Sequence, residues 1–73
     1  MSATTVRLRD IVNGHIVGHL DERGMTAQDV AESTGIGIRA VENRVSGFAP
    51  WTVDEIHLVA VMLDVDVVSL FRE

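Results

Sequence analysis

The sequence predicts a compact, all-α domain of four to five helices, and three observations carry that expectation. Apolar residues recur at helical spacing near both ends of the chain. Two Thr-x-x-acid boxes, Thr26 to Asp29 and Thr52 to Glu55, mark helix starts. Glycines fall just where the helical patterns stop, at 24, 35 and 47. Nothing alternates with period two apart from the valines at 65–68, so no strand is expected.

The first helix is expected over 6–23. On a wheel of about 100° per residue, Leu8, Val12, Ile16, His19 and Leu20 share one side, with Arg7, Asp10, Gly14 and Asp21 opposite. Thr4 or Thr5 is the expected cap and Gly24 the stop. Gly14 and Gly18 weaken helix propensity, which suggests a close approach of another backbone. The second helix starts at Thr26, whose hydroxyl and the Asp29 carboxylate satisfy each other's backbone N–H. Val30 and Ala31 face inward, and Gly35 ends it. A third helix follows over about 37–46, with Val41 and Val45 on its inner side and Gly47 after it. Phe48-Ala49-Pro50-Trp51 forms a loop in which the two aromatics act as hydrophobic pins. The fourth helix runs over roughly 53–63 with Val53, Ile56, Val59, Ala60 and Leu63 turned to the core. Asp64 ends it, and Asp66 caps a last short turn through Val67, Val68, Leu70 and Phe71.

The 73 residues form one domain, 1–73, without repeat or linker. A domain of this size buries only about 60% of the surface of its unfolded chain and gains from a partner subunit. Its hydrophobic share of 47% argues against disorder. Absence of cysteine excludes disulfides and Cys-based zinc sites. The opening MSATTVRLRD meets charge before any apolar run, so no signal peptide is expected. The run LVAVML at 58–63 is far short of the ~20 residues that span a bilayer. The expectation is a cytoplasmic protein. The net charge is −5 and all six basic residues are arginine, a balance that disfavours loose electrostatic binding to nucleic acid.

Two short helices joined by a glycine-containing turn are the arithmetic of a helix-turn-helix. The segment Thr26–Gly47 resembles the Cro/repressor-type family, which includes the lambda repressor DNA-binding domain. The residues that carry the resemblance are Thr26, Val30-Ala31, Gly35-Ile36-Gly37, Val41 and Gly47. Pro50, Thr52 through Leu63, Val65 and Leu70-Phe71 extend it over nearly all of the chain after residue 8. The resemblance implies a lambda-repressor-like fold and a small transcriptional regulator, a repressor or phage Cro/immunity-type switch. Its place would be the nucleoid of a bacterial or phage-infected cell, and its partner double-stranded DNA with a palindromic operator.

In that family the third helix enters the major groove and the second crosses the phosphate backbone. Base contact then falls to Ile38, Arg39, Glu42 and Asn43. Arg39 suits guanine, Asn43 adenine and Glu42 a cytosine amine. Ile38 touches a thymine methyl or belongs to the core. Backbone contact falls to Thr26, Gln28, Arg44 and Arg23, with Arg7 and Arg9 in reserve. The chain departs from the family in having Ala27 after the cap, Phe48-Ala49 where basic residues are common, and Arg44 at a usually apolar place. On the fourth helix Leu58, Val61 and Met62 point away from the core stripe, and with Val65 and Val68 they make a candidate homodimer interface. The alternative is that the final turn folds back over them.

A different class of function also fits. The fold, kept without DNA contact, would serve as an acidic protein-interaction module that antagonises a regulator or host factor. His15 and His19 stand four apart, a two-ligand metal clip to which Glu22, three further on, could add a third ligand; zinc takes three or four protein ligands, but His19 lies on the apolar face. A hydrogen-bonded core histidine is the expectation for His19, and no metal or cofactor is expected. No nucleophile is paired with a base, so an enzyme is not expected.

Overall fold

The computed structural model describes residues 7–73, and the expected caps Thr4 and Thr5 lie outside them. Four α-helices and one 3-10 turn make up the described chain, with no strand among those residues. Helix α1 spans Leu8–Arg23, α2 Ala27–Thr34, α3 Ile38–Val45 and α4 Val53–Leu63, and the 3-10 turn is Val67–Phe71. The valines at 65–68 lead into that turn instead of pairing as a strand.

Local chemistry accounts for the boundaries. Thr26 and Thr52 each close a capping box, with Asp29 and Glu55 as the reciprocal partners. These satisfy backbone donors that a helix start otherwise leaves open. Asp66 accepts from the Val68 N–H at 3.1 Å and starts the last turn. α1 begins later than the sequence suggests: Arg7 is the flanking residue and provides no side-chain cap. Asp64 holds φ 57° at the end of α4, a left-handed conformation that Asp tolerates better than most residues.

The helices enclose one core. Val12, Ile16 and Leu20 of α1 meet Val30 of α2, Val41 of α3, and Ile56, Val59, Ala60 and Leu63 of α4. Leu70 closes the core from the 3-10 turn, which packs on α1 and α4. Each large apolar side chain so buried contributes about 1.5–3 kcal/mol. Trp51 is buried as well, and its indole N–H donates to Asn13 Oδ1 at 2.9 Å. It is a pin, as expected; Phe48, 82% exposed, is not.

Three other expectations are corrected. Val53, placed on the core side by its spacing, is 82% exposed, because nothing packs over the first residue of α4. Leu8 at the start of α1 is likewise more than half exposed. Gly14 and Gly18 mark no close approach: a Cβ at either would meet nothing within 4 Å.

Candidate functional site

The α2–α3 pair carries most of the residues that the sequence singled out as candidate contacts. Gly35 ends α2 at φ 81°, and its N–H donates to the Ala31 carbonyl. A side chain there would be strained, and glycine is not. Thr34 latches the turn: its hydroxyl donates to the Val30 carbonyl at 2.7 Å and accepts from the Ile36 N–H at 3.2 Å. Ile36 and Ala31 are partly buried against the core. Val41, fully buried, sets the roll of α3.

With Val41 inward, the opposite side of α3 is determined by the helical period. Arg39 and Asn43 stand four apart, about 40° from each other and roughly opposite Val41. Both are exposed, as is Glu42. Ile38 is at the surface, 36% exposed, rather than in the core. Arg39 and Asn43 thus share the side opposite Val41, with Glu42 about 60° from Arg39, while Ile38 lies only about 60° from Val41, at the edge of the core side.

The cations expected to flank that surface are placed differently. Arg44 turns to α4 and grips Glu55 with two donors, Nε to Oε1 at 2.9 Å and Nη2 to Oε2 at 3.3 Å. The two side chains are only 18% and 15% exposed. Arg44 thus joins α3 to α4 in place of reaching outward. Arg23 donates from Nη1 to the Leu63 carbonyl at 2.7 Å, satisfying an open acceptor at the end of α4. Arg9 donates to the Gly47 carbonyl at 3.3 Å. Arg7, Arg39 and Arg72 make no side-chain hydrogen bond or ion pair within the described residues.

The Glu55 carboxylate accepts from three donors on two residues, Arg44 and Thr52. Burial alone would raise its pKa, but the Arg44 hydrogen bonds, the Thr52 backbone N–H and the Arg44 charge outweigh burial and hold it below its ordinary value. Glu55 therefore stays ionised at neutral pH, facing the Arg44 guanidinium.

At the start of α2, Thr26 is occupied by its capping box, accepting from the Asp29 N–H at 3.1 Å and donating its own N–H to Asp29 at 2.8 Å. Gln28 is exposed and donates to Glu32 at 3.1 Å. Both are accessible, but they sit among acids.

The far end of α3 is held by residues whose role the sequence did not reveal. Asn13 of α1 donates to the Val45 carbonyl at 3.3 Å while accepting from Trp51. With the Arg9 bond to Gly47, it ties α1 to the last turn of α3. An Asn on the flank of an apolar stripe, with a Trp elsewhere in the chain, was the available signal.

The expected interface on α4 is narrower than its sequence suggests. Leu58, Val61 and Val68 are exposed, with Val61 at 66%. Met62 and Val65 instead pack partly buried against the core. They drop out because the end of α4 bends back into the 3-10 turn, which buries Leu70 but leaves Leu58 and Val61 uncovered. At α1, His15 Nε2 contacts the Arg72 carbonyl. His19 is partly buried but its Nδ1 has no hydrogen-bond partner, with Glu22 at 3.9 Å. The expected hydrogen-bonded histidine is not formed. No group of three potential metal ligands occurs among the described residues.

Comparison with protein-family models, with known proteins and with solved structures finds no match. Among the described residues, no helix is long and apolar enough to cross a membrane.

Proposed function

We propose that this protein is a small DNA-binding regulator in which α2 and α3 act as a Cro/repressor-type helix-turn-helix. The observation that supports the reading most is the outward face of α3. Arg39, Glu42 and Asn43 project together, on a helix whose roll and angle are held by Val41, Gly35 and Thr34. Side chains of these types have hydrogen-bonding partners among the base edges of the major groove. Arg39 would take guanine, Asn43 adenine and Glu42 cytosine, with exposed Ile38 against a thymine methyl. Two copies on half-sites ~34 Å apart would read a palindrome, pairing through Leu58, Val61 and Val68. A repressor or phage-type switch in the bacterial cytoplasm is the biological setting this reading implies.

Few cations serve phosphate. Of the two arginines in α2 and α3, Arg44 is paired with Glu55 and Arg39 is assigned to a base, so each copy neutralises few phosphates. Each phosphate contact adds about −0.9 to the slope of the logarithm of affinity against the logarithm of salt, so a shallow salt dependence per copy is expected. Selection from genomic fragments at low salt, with wild type and Arg39→Ala in parallel, tests the proposal. A recovered motif that loses preference at one base pair in the variant supports it. Equal retention of all fragments, or none, refutes it.

A second reading is favoured by the same arginine placements. With Arg44 paired to Glu55, Arg9 and Arg23 bonded to backbone carbonyls, and a net charge of −5, the chain suits an acidic protein-binding module without DNA contact. Failure of the DNA selection together with a saturable protein partner would select it.

A further inference from the structure

Helix α4 and the 3-10 turn after it combine exposed apolar side chains with an excess of acids over cations. Leu58, Val61 and Val68 are uncovered. On the helical wheel Asp54, Leu58 and Val61 lie within about 60° of each other. From Ser46 to Phe71 there are four acids, Asp54, Glu55, Asp64 and Asp66, and no arginine or lysine. Glu55 is neutralised by Arg44, which leaves three carboxylates, all on exposed residues. Besides Arg44, two cations border this stretch, Arg23 bonded to the uncharged Leu63 carbonyl and exposed Arg72 just past the turn, and exposed His57 lies on α4 itself.

We propose that this face docks a basic amphipathic helix of another protein, and does so in preference to a second copy of the chain. Only the displacement of a second copy rests on the dimer reading above; the docking itself does not. A second copy would bury the apolar strip but would set like carboxylates against each other across the interface. A helix with leucines on one side and lysines or arginines flanking them buries the same strip and meets opposite charge. Apolar contact gives the affinity, and the acidic rim selects the partner's sign. Occupation of the face would separate two copies on a palindrome and weaken operator binding.

The test uses the whole chain and an 18-residue Leu/Lys amphipathic peptide, with a Leu/Glu peptide of the same pattern as control. Binding is followed by amide chemical shifts and by titration calorimetry, and self-association by sedimentation. The expected result is saturable binding of the Lys peptide with shifts centred on residues 54–68, at least about tenfold tighter than the Glu peptide. Val61→Asp should weaken it by about tenfold, and Asp54→Asn with Asp64→Asn should weaken it without altering the fold. Shifts elsewhere, equal affinity for both peptides, indifference to Val61→Asp, or a chain dimer that the Lys peptide does not displace would each overturn the proposal. Loss of DNA binding and of self-association in the absence of peptide would instead refute the dimer reading, and peptide binding reports on this face either way.

Discussion

Helices α2 and α4 start with the same device, yet the two capping boxes do different things. At α2, Asp29 closes the box with Thr26 in an exposed setting and meets nothing else. At α4, Glu55 closes the box with Thr52 and at the same time takes two hydrogen bonds from Arg44 of α3. One box terminates a helix; the other also fixes the orientation of two helices. A four-residue pattern specifies a local bond, while its wider consequence depends on what the fold brings beside it.

The largest break in this comparison should come at Glu55. Glu55→Ala removes the box and leaves the Arg44 guanidinium mostly buried without its partner, so a cost of about 2–3 kcal/mol is expected in urea unfolding. Acid titration sharpens the point. Glu55 has its pKa lowered in the folded state, so its contribution is fully present above the ordinary value of 4.5 and is lost as pH falls through the lower, folded value. Glu55→Gln should therefore be less stable at neutral pH and show a shallower acid limb than wild type. An unchanged acid limb would mean the pair does not form.

At the other box, Asp29→Ala should cost about 1 kcal/mol or less, since no second partner is stranded. Equal losses at Asp29 and Glu55 would erase the distinction. The smallest stability effect is expected at Arg39: Arg39→Ala should lie within about 0.5 kcal/mol of wild type, while base selectivity falls by about 1–3 kcal/mol at one position. A large unfolding penalty there would show that Arg39 serves the fold rather than a partner.

Much of the fold was legible because it depends on short-range chemistry. The boxes at Thr26 and Thr52, the turn at Gly35 and the stop at Asp64 follow from residues within one helical turn. Inward positions such as Ile16, Val30, Val41 and Leu63 follow from the helical period. The same period misplaced Val53 and Leu8, because it assigns a side but not whether another element extends far enough to cover it. On the candidate surface, the outward placement of Arg39, Glu42 and Asn43 was legible from Val41 alone. The engagement of Arg44, Arg23 and Arg9 was not, since each meets an acceptor 11 to 40 residues away.

By itself, the sequence determined where helices begin and end and which side of each is apolar, since those depend on neighbours one turn apart. Only the tertiary structure decided which arginines are spent within the fold, that Asn13 and Trp51 lock the end of α3, and that Met62 and Val65 join the core while Val61 stays uncovered. Those outcomes require groups distant in the chain to arrive at hydrogen-bond or packing distance, and no local pattern encodes that arrival.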